Sequence, residues 1–510
     1  MGRAERGTGL SVFMKVVGTA VAMLVAAVLI DAFVWKRGLD LLTPGSQGIT
    51  DALGSLGEIL AAVLGLSITV VAIVLQLASQ RYSPMIVDLF MRDPTNAKAF
   101  GFMVVSCIYV IILPVFAGQQ EIPMVATWAG LMLAVINFGL LLPYFSHVFE
   151  FLQPNNFITQ IKAVARESLI YTIANPGSAV QGQKQVADAI ERIADNCLSA
   201  ISQTDRGLAL HSIRTLDELL VHYLQHKTGL PGGWAQIHPD YFLSLSKEFY
   251  QEIVDQNTWV EAKVFMEFEH VTRRSLGSLG EVVSQIASSS RNIGEAALEA
   301  KDREVTELVV RFFNTYIRHA LNRRNVRALY NILYQYQLFS RQIMLHNHDL
   351  CQRIVQYLVY YGRLANEMGM PFATVTAAHD VRVLCEQAYL NEHMDVVPLL
   401  DLFLSLDQPS EAKTEELALI GVRKAQSILG AFFLEHGAHH LANRIRHDMG
   451  HESVQRLLMI RDEILSVSER KFWEVTDRGI NFDYVDPARH GFIKDFFEPL
   501  IQESEHTASV

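Results

Sequence analysis

The chain lacks the residue patterns that usually announce chemistry. Its four cysteines, Cys107, Cys197, Cys351 and Cys385, are scattered without a C-x-x-C pair, which excludes a zinc ribbon and fits a reducing compartment. There is no G-x-x-x-x-G-K-[ST], no G-x-G-x-x-G, no G-x-S-x-G, no H-E-x-x-H and no EF-hand loop. The expectation is a protein that is not an enzyme and has no cofactor. Basic charge is scarce where nucleic acid would need it. Residues 1–150 hold 8 of the 43 lysines and arginines and 9 of the 54 acids, leaving 35 against 45 for the remainder. That acidic excess argues against a nucleic-acid partner.

What is present is apolar. Half of the residues are hydrophobic and the mean hydropathy is +0.18, too apolar for an ordinary soluble protein and too charged for a fully embedded transporter. Four runs have the length of a membrane span: residues 16–34, 59–78, 99–117 and 124–145. The first is read as a retained helix and not a signal peptide, because the run is long and Asp31-Ala32-Phe33 is a poor cleavage context. Arg3, Arg6, Lys15, Arg81, Arg92, Lys98, Lys162 and Arg166 fall on one side of these spans and only Lys36 and Arg37 on the other, which puts both termini in the cytoplasm. The connection from Trp35 to Leu56, with Pro44, Gly45, Gly48 and Gly54, is expected to be irregular, and residues 118–123 a tight turn.

The second span carries one line that is not greasy. Glu58, Ala62, Gly65, Thr69, Ala72, Gln76 and Ser79 recur at steps of three or four and so share a helix face. Gly57, Ala61, Gly65 and Thr69 at four-residue steps would also let a second helix approach closely. Two readings follow: a packing seam, or, with identical copies around an axis, a path lined by Glu58, Thr69 and Gln76 that favours cations. Ser83-Pro84 fits an N-cap and first helical position, an elbow into a short interfacial helix over residues 84–93. Asn137, in the fourth span, is expected to bond to a neighbouring helix.

LQLASQRYSPMIVDLFMRD, with the uncharged helix before it and the apolar segment Ala99 to Ala117 after it, resembles the DUF2254 family of predicted bacterial inner-membrane proteins, whose usual string is LQLAS, an aromatic, then Ser-Pro. The family has no assigned activity, so the resemblance implies a location and a topology. It covers residues 55–150 and, more loosely, reaches residue 270. Ile193 to Ile201 and Leu216 to Leu220 look like the family's helix pair around an ALSPAINDP loop. Here Ser202-Gln203-Thr204-Asp205 stands where Asn-Asp-Pro would fall, and the strand-like segment that often precedes the pair is missing. No functional residue carries over from that loop.

Beyond Asn155 only eight of the fifteen prolines remain and apolar residues recur at helical spacing, giving a helical domain over residues 151–500 with a disordered tail at 501–510. Helices are expected over 185–202, 207–225, 325–345, 350–366, 411–434 and 452–475. His436, His440, His447 and His451 would fall on one side of a continuous helix, a weak metal or proton-sensing candidate that Gly437 and Gly450 interrupt. Glu218, His222 and His226 offer a similar set. Arg318, Arg323, Arg324 and Arg327 form a basic patch, solvated or paired with nearby acids, or else touching lipid headgroups.

The sequence therefore describes an all-α membrane protein: four transmembrane helices in residues 1–150 and a large helical cytoplasmic domain, a bundle or an irregular solenoid. Its expected partners are the lipid bilayer, further copies of itself and a cytoplasmic protein. The expected role is an oligomeric channel-like protein of the bacterial inner membrane with a gating or sensing domain. The alternative is a membrane-anchored scaffold without conduction.

Overall fold

A computed structural model describes residues 46–81, 85–116, 124–243, 245–391, 394–407, 416–472 and 478–508, with positions 19, 22, 23, 25–27, 29, 30 and 33 before them. It is 85% helical, with no strand among the described residues. Most of the expected first span, residues 34–45, the elbow at Ser83-Pro84 and the turn at 118–123 lie outside the described residues. The chain divides into two compact units, Met1–Gln160 and Ile161–Val510.

In the first unit α1 (Ser46–Arg81) packs along α3 (Pro94–Phe116), and α3 along α4 (Met124–Phe151), with the short α2 (Met85–Arg92) against α1 and α3. Asp51–Gln80, Pro94–Pro114 and Val125–Phe151 are long and apolar enough to cross a membrane. α1 starts well before the expected span. Its first turns replace the irregular segment expected up to Leu56, because Leu53 is a core residue and Gly54 is tolerated inside a packed helix. In α2, Ile86 and Phe90 are buried while Val87 and Met91 are exposed, so the helix has an apolar face on either side. Asp93 Oδ1 then accepts from the backbone N–H of Thr95 and Asn96, at 2.7 and 3.1 Å, capping α3.

α5 (Pro154–Ala174) contains the boundary between the units. The second unit continues with α6 (Ala179–Ser202), α7 (Arg206–His226), α8 (Lys247–Asp255), α9 (Trp259–Ser275), α10 (Gly280–Glu299), α11 (Arg303–Asn322) and α12 (Val326–Met344). It ends with α13 (His348–Glu367), α14 (Pro371–Leu390), α15 (Val397–Leu404), α16 (Glu416–Glu435), α17 (His439–Met449), α18 (Val454–Ser466) and α19 (His490–Ala508). α6, α9, α11, α13 and α15 pack in succession as one row; α7, α10, α12, α14 and α16 pack as a second. Each helical hairpin therefore leans on the next, which is the solenoid of the two arrangements expected.

One turn recurs through this stack. Thr204, Asn257, Lys301, Arg324, Gly369 and Gly437, each two residues past a helix end, have φ between +49° and +72°. The following residue's N–H returns to a carbonyl five positions back: Asp205 to Ala200, Thr258 to Ile253, Asp302 to Ala297, Asn325 to Ala320, Met370 to Ala365 and Ala438 to Phe433, all at 2.8–3.0 Å. This is the Schellman closure of a helix end. At Asp205, Asp302 and Asn325 the next side chain also caps the next helix, accepting from Leu208, Val305 and Ala328.

Two helix expectations change. The helix expected over 452–475 stops at Ser466, because Val467 is extended and Lys471 forms an antiparallel bridge with Ile480. The tail expected to be disordered is helical to Ala508: Ile493, Phe496, Phe497 and Leu500 anchor α19, and Ser504 Oγ lies 3.4 Å from the Glu452 carbonyl. α16 also has the length and composition of a membrane helix, but 72% of its apolar window is buried in this unit, against 22%, 33% and 28% for the three helices of the first unit. It is a core helix, and Gly430 lets the Phe496 ring approach to where a Cβ would sit 2.2 Å away.

Candidate functional site

The surface of α1 divides into three strips. Leu53, Gly57, Leu60, Ser67, Val71, Leu75 and Ala78 are buried and form the seam with the rest of the first unit. Glu58, Ala62, Gly65, Thr69, Ala72 and Gln76 are exposed. At 100° per residue their line is centred about 140° from the seam. Ile59, Leu66, Ile73 and Leu77 are exposed as well and form an oily strip beside it. The stripe expected from the sequence is thus one face, and among the described residues no helix of this chain covers it.

The two glycines of the supposed close-packing series separate on this division. A Cβ at Gly57 would lie 3.2 Å from Ile111 Cγ1, so this glycine sets the approach of α1 to α3. At Gly65 nothing among the described residues lies within 4 Å of such a Cβ. The Thr69 hydroxyl donates to the Gly65 carbonyl at 2.8 Å, which satisfies it without a partner helix. On the packed side, Tyr109 OH donates to the Ala126 carbonyl at 3.1 Å and Asn137 Nδ2 points to the Met103 carbonyl at 3.4 Å. Asn137 therefore joins α4 to α3, the packing role expected of it.

The histidines do not gather. His436 follows the last residue of α16, with Nδ1 2.8 Å from the Phe432 carbonyl and its ring 4.2 Å from that of Phe432. Gly437, at φ +72°, turns the chain, so His440 and His447 lie on α17 and His451 beyond its end; all four are exposed. In the other set, His222 and His226 stack with ring centroids 4.3 Å apart, while Glu218 pairs with Lys162. Burial lowers the pKa of His222, and Arg166 and His226 push it the same way. Among the described residues no three His, Cys, Asp or Glu side chains are placed to hold a metal ion. The four cysteines are buried, and burial pushes Cys197 and Cys351 up to about 12, so these thiols are not nucleophiles.

Two polar groups in the helical unit escaped the sequence reading. Asp380 of α14 holds Arg478, from the segment before α19, through both guanidinium nitrogens. The guanidinium also donates to the Tyr330 carbonyl at 3.2 Å and lies 4.7, 5.0 and 5.5 Å from the rings of Tyr330, Tyr334 and Phe482. His379 stacks on Phe482 at 4.1 Å, and burial, with Arg382 and Arg478 nearby, holds its pKa well below the ordinary value. A cavity of about 350 Å³ adjoins these rings, lined by Tyr330, Phe372, Phe482, Lys424, Glu463 and Asp483 among others. The second group is Asp217 of α7, which accepts from Asn292 Nδ2 of α10 at 2.9 Å. Burial raises it to about 6 against the opposing bonds from Asn292 and Ser289. No local pattern marks either residue; each is defined by a partner distant in the chain.

The model of a family described as "Predicted membrane protein (DUF2254)" matches residues 10–212, the family that the sequence resembles. The match starts earlier than the resemblance drawn from residues 55–150, takes in the turn at 202–205, and ends short of residue 270. No curated protein matches. A solved structure described as "Circular tandem repeat protein with novel repeat topology and enhanced subunit contact surfaces" aligns over 91% of this chain and 98% of its own at 16% identity, with a TM-score of 0.27. A likeness that low carries no argument.

Proposed function

We propose that this chain, which matches a family of predicted membrane proteins, assembles with copies of itself through the exposed stripe of α1, and that the assembly conducts cations under control of the helical unit. The observation that carries the reading is the division of α1 into seam, oily strip and small-to-polar stripe. Helices in lipid associate through small residues, and Ala62 and Gly65 supply them on a face that the described residues leave exposed. Around an axis, Glu58, Thr69 and Gln76 line the approach, and a ring of Glu58 favours cations. The uneven distribution of lysine and arginine supports a topology with the helical unit and both termini on the cytoplasmic side, and the resemblance to a family of predicted bacterial inner-membrane proteins supports that membrane as its place.

A second reading, an anchored scaffold that binds a cytoplasmic protein, is favoured by the two-row stack of hairpins, an arrangement that presents long binding surfaces. Ion flux from liposomes, measured beside subunit number in the same preparation, separates the two. Flux that falls in Gln76→Leu at unchanged subunit number supports conduction along α1. A folded oligomer that passes no ion across several salts overturns conduction and leaves the scaffold.

A further inference from the structure

We propose that the turn joining α11 to α12, with the adjacent end of α9, is a docking surface for the anionic headgroups of a lipid bilayer. This does not rest on the channel reading. From residue 308 to residue 348 the chain has six arginines, Arg311, Arg318, Arg323, Arg324, Arg327 and Arg341, and no aspartate or glutamate, in a part of the chain where acids otherwise outnumber bases. Two of the six are engaged elsewhere: Arg311 pairs with Glu252, and Arg341 Nη2 lies 3.4 Å from Gln387. Arg318 interacts with the Tyr360 and Tyr361 side chains, which raise its pKa. Arg323, Arg324 and Arg327 are exposed, and no carboxylate among the described residues comes within 4.0 Å of them.

The fold adds to this group. Asn325 Nδ2 donates to the Leu276 carbonyl at 2.7 Å, tying the turn to the end of α9, where Arg274 is exposed and likewise without a carboxylate. The Schellman turn holds Arg324 at φ +49° between Arg323 and the cap Asn325, so its backbone is fixed although its side chain is free. Four unpaired guanidinium groups on one short edge repel one another, and a layer of phosphates relieves that repulsion.

The partner follows from the extent of the patch. A long polyanion such as RNA would run from this edge onto a unit that is acidic elsewhere, whereas a flat layer of headgroups needs only the local cluster. The same chain also has helices long and apolar enough to cross a membrane, so a bilayer is held near it at high effective concentration.

The test uses the full chain in nanodiscs of phosphatidylcholine, to which vesicles of phosphatidylcholine alone or mixed with phosphatidylglycerol are added and floated at low and high salt. The wild type is expected to float with the phosphatidylglycerol vesicles only, and to be released by salt. Arg323→Ala, Arg324→Gly and Arg327→Ala combined should weaken that binding by roughly 100-fold, about 5-fold for each arginine near an anionic surface. Arg311→Ala, at an engaged arginine, should leave it unchanged. Thermal unfolding of the triple variant should show no loss of stability, since the removed groups are exposed and glycine suits the backbone at position 324. Equal binding by the triple variant, or no binding by the wild type, overturns the proposal. So does a wild type that ignores these vesicles yet binds a labelled single-stranded RNA through the same arginines.

Discussion

Asp380 and Arg478, 98 positions apart, meet in a two-pronged ion pair that water does not reach: Nη2 lies 2.9 Å from Oδ2, Nη1 donates to Oδ1, and the side chains are 1% and 2% exposed. Burial alone would raise the pKa of Asp380, and Arg478 opposes that rise. Removing one partner strands the other charge. Arg478→Met is expected to destabilise the helical unit by about 3–5 kcal/mol, while Asp380→Leu with Arg478→Met recovers most of the loss. Chemical unfolding of the full chain in detergent, followed by circular dichroism, reads both.

Gly57 and Gly65 should respond differently to the same change. Gly57→Leu drives a side chain into Ile111 and is expected to misfold the first unit. Gly65→Leu meets nothing among the described residues, so the protomer should fold as before and lose only the self-association proposed for it. Native mass spectrometry of both variants in detergent decides; a Gly65→Leu protein with unchanged subunit number refutes assembly through the stripe.

Asp217 gives the helical unit a defined pH response. Its folded pKa, about 6, exceeds its ordinary value of 3.8, so the folded state favours the protonated form. The stability this confers is fully present below about pH 4, is lost as pH rises through about 6, and is flat beyond. Asp217→Asn keeps an acceptor for Asn292 and should be more stable than wild type at neutral pH by about 2–3 kcal/mol, with no gain at pH 4. Unfolding midpoints at both pH values measure the difference.

The recurring turn predicts opposite signs at two of its members. Gly437→Ala places a Cβ at φ +72° and should cost about 1 kcal/mol. Lys301, exposed at φ +57° in the equivalent place, carries that strain already, so Lys301→Gly should stabilise by a few tenths of a kcal/mol to about 1. Thermal midpoints of the two single variants check the pair.

The apolar lengths of α1, α3 and α4 were legible because they depend on composition alone, and most helices of the second unit because their apolar positions repeat. What sequence spacing did not separate was Gly57 from Gly65: both lie in one four-residue series, yet only the positions of Ile111 and its neighbours decide which of them is packed. The turns at Lys301 and Arg324 escaped because neither residue is a glycine, although each adopts the backbone that glycine favours. Arg478 escaped for a different reason. Its local sequence is unremarkable, and its partner is supplied by another helix. The histidine series is divided twice, at Gly437, whose turn separates His436 from α17, and at Gly450, where α17 ends before His451.

The shared turn has a consequence for how such a domain grows. When Ala200, Ala320 and Ala365 accept the same closing bond inside a hairpin and Ala297 accepts it between two, one turn serves both kinds of junction. The pair α12 and α13, which lies between two such turns, could be duplicated or deleted without inventing a new connector. The length of the stack is then a parameter that mutation can adjust in whole steps, and proteins built on this plan are free to differ in span while keeping the same local grammar.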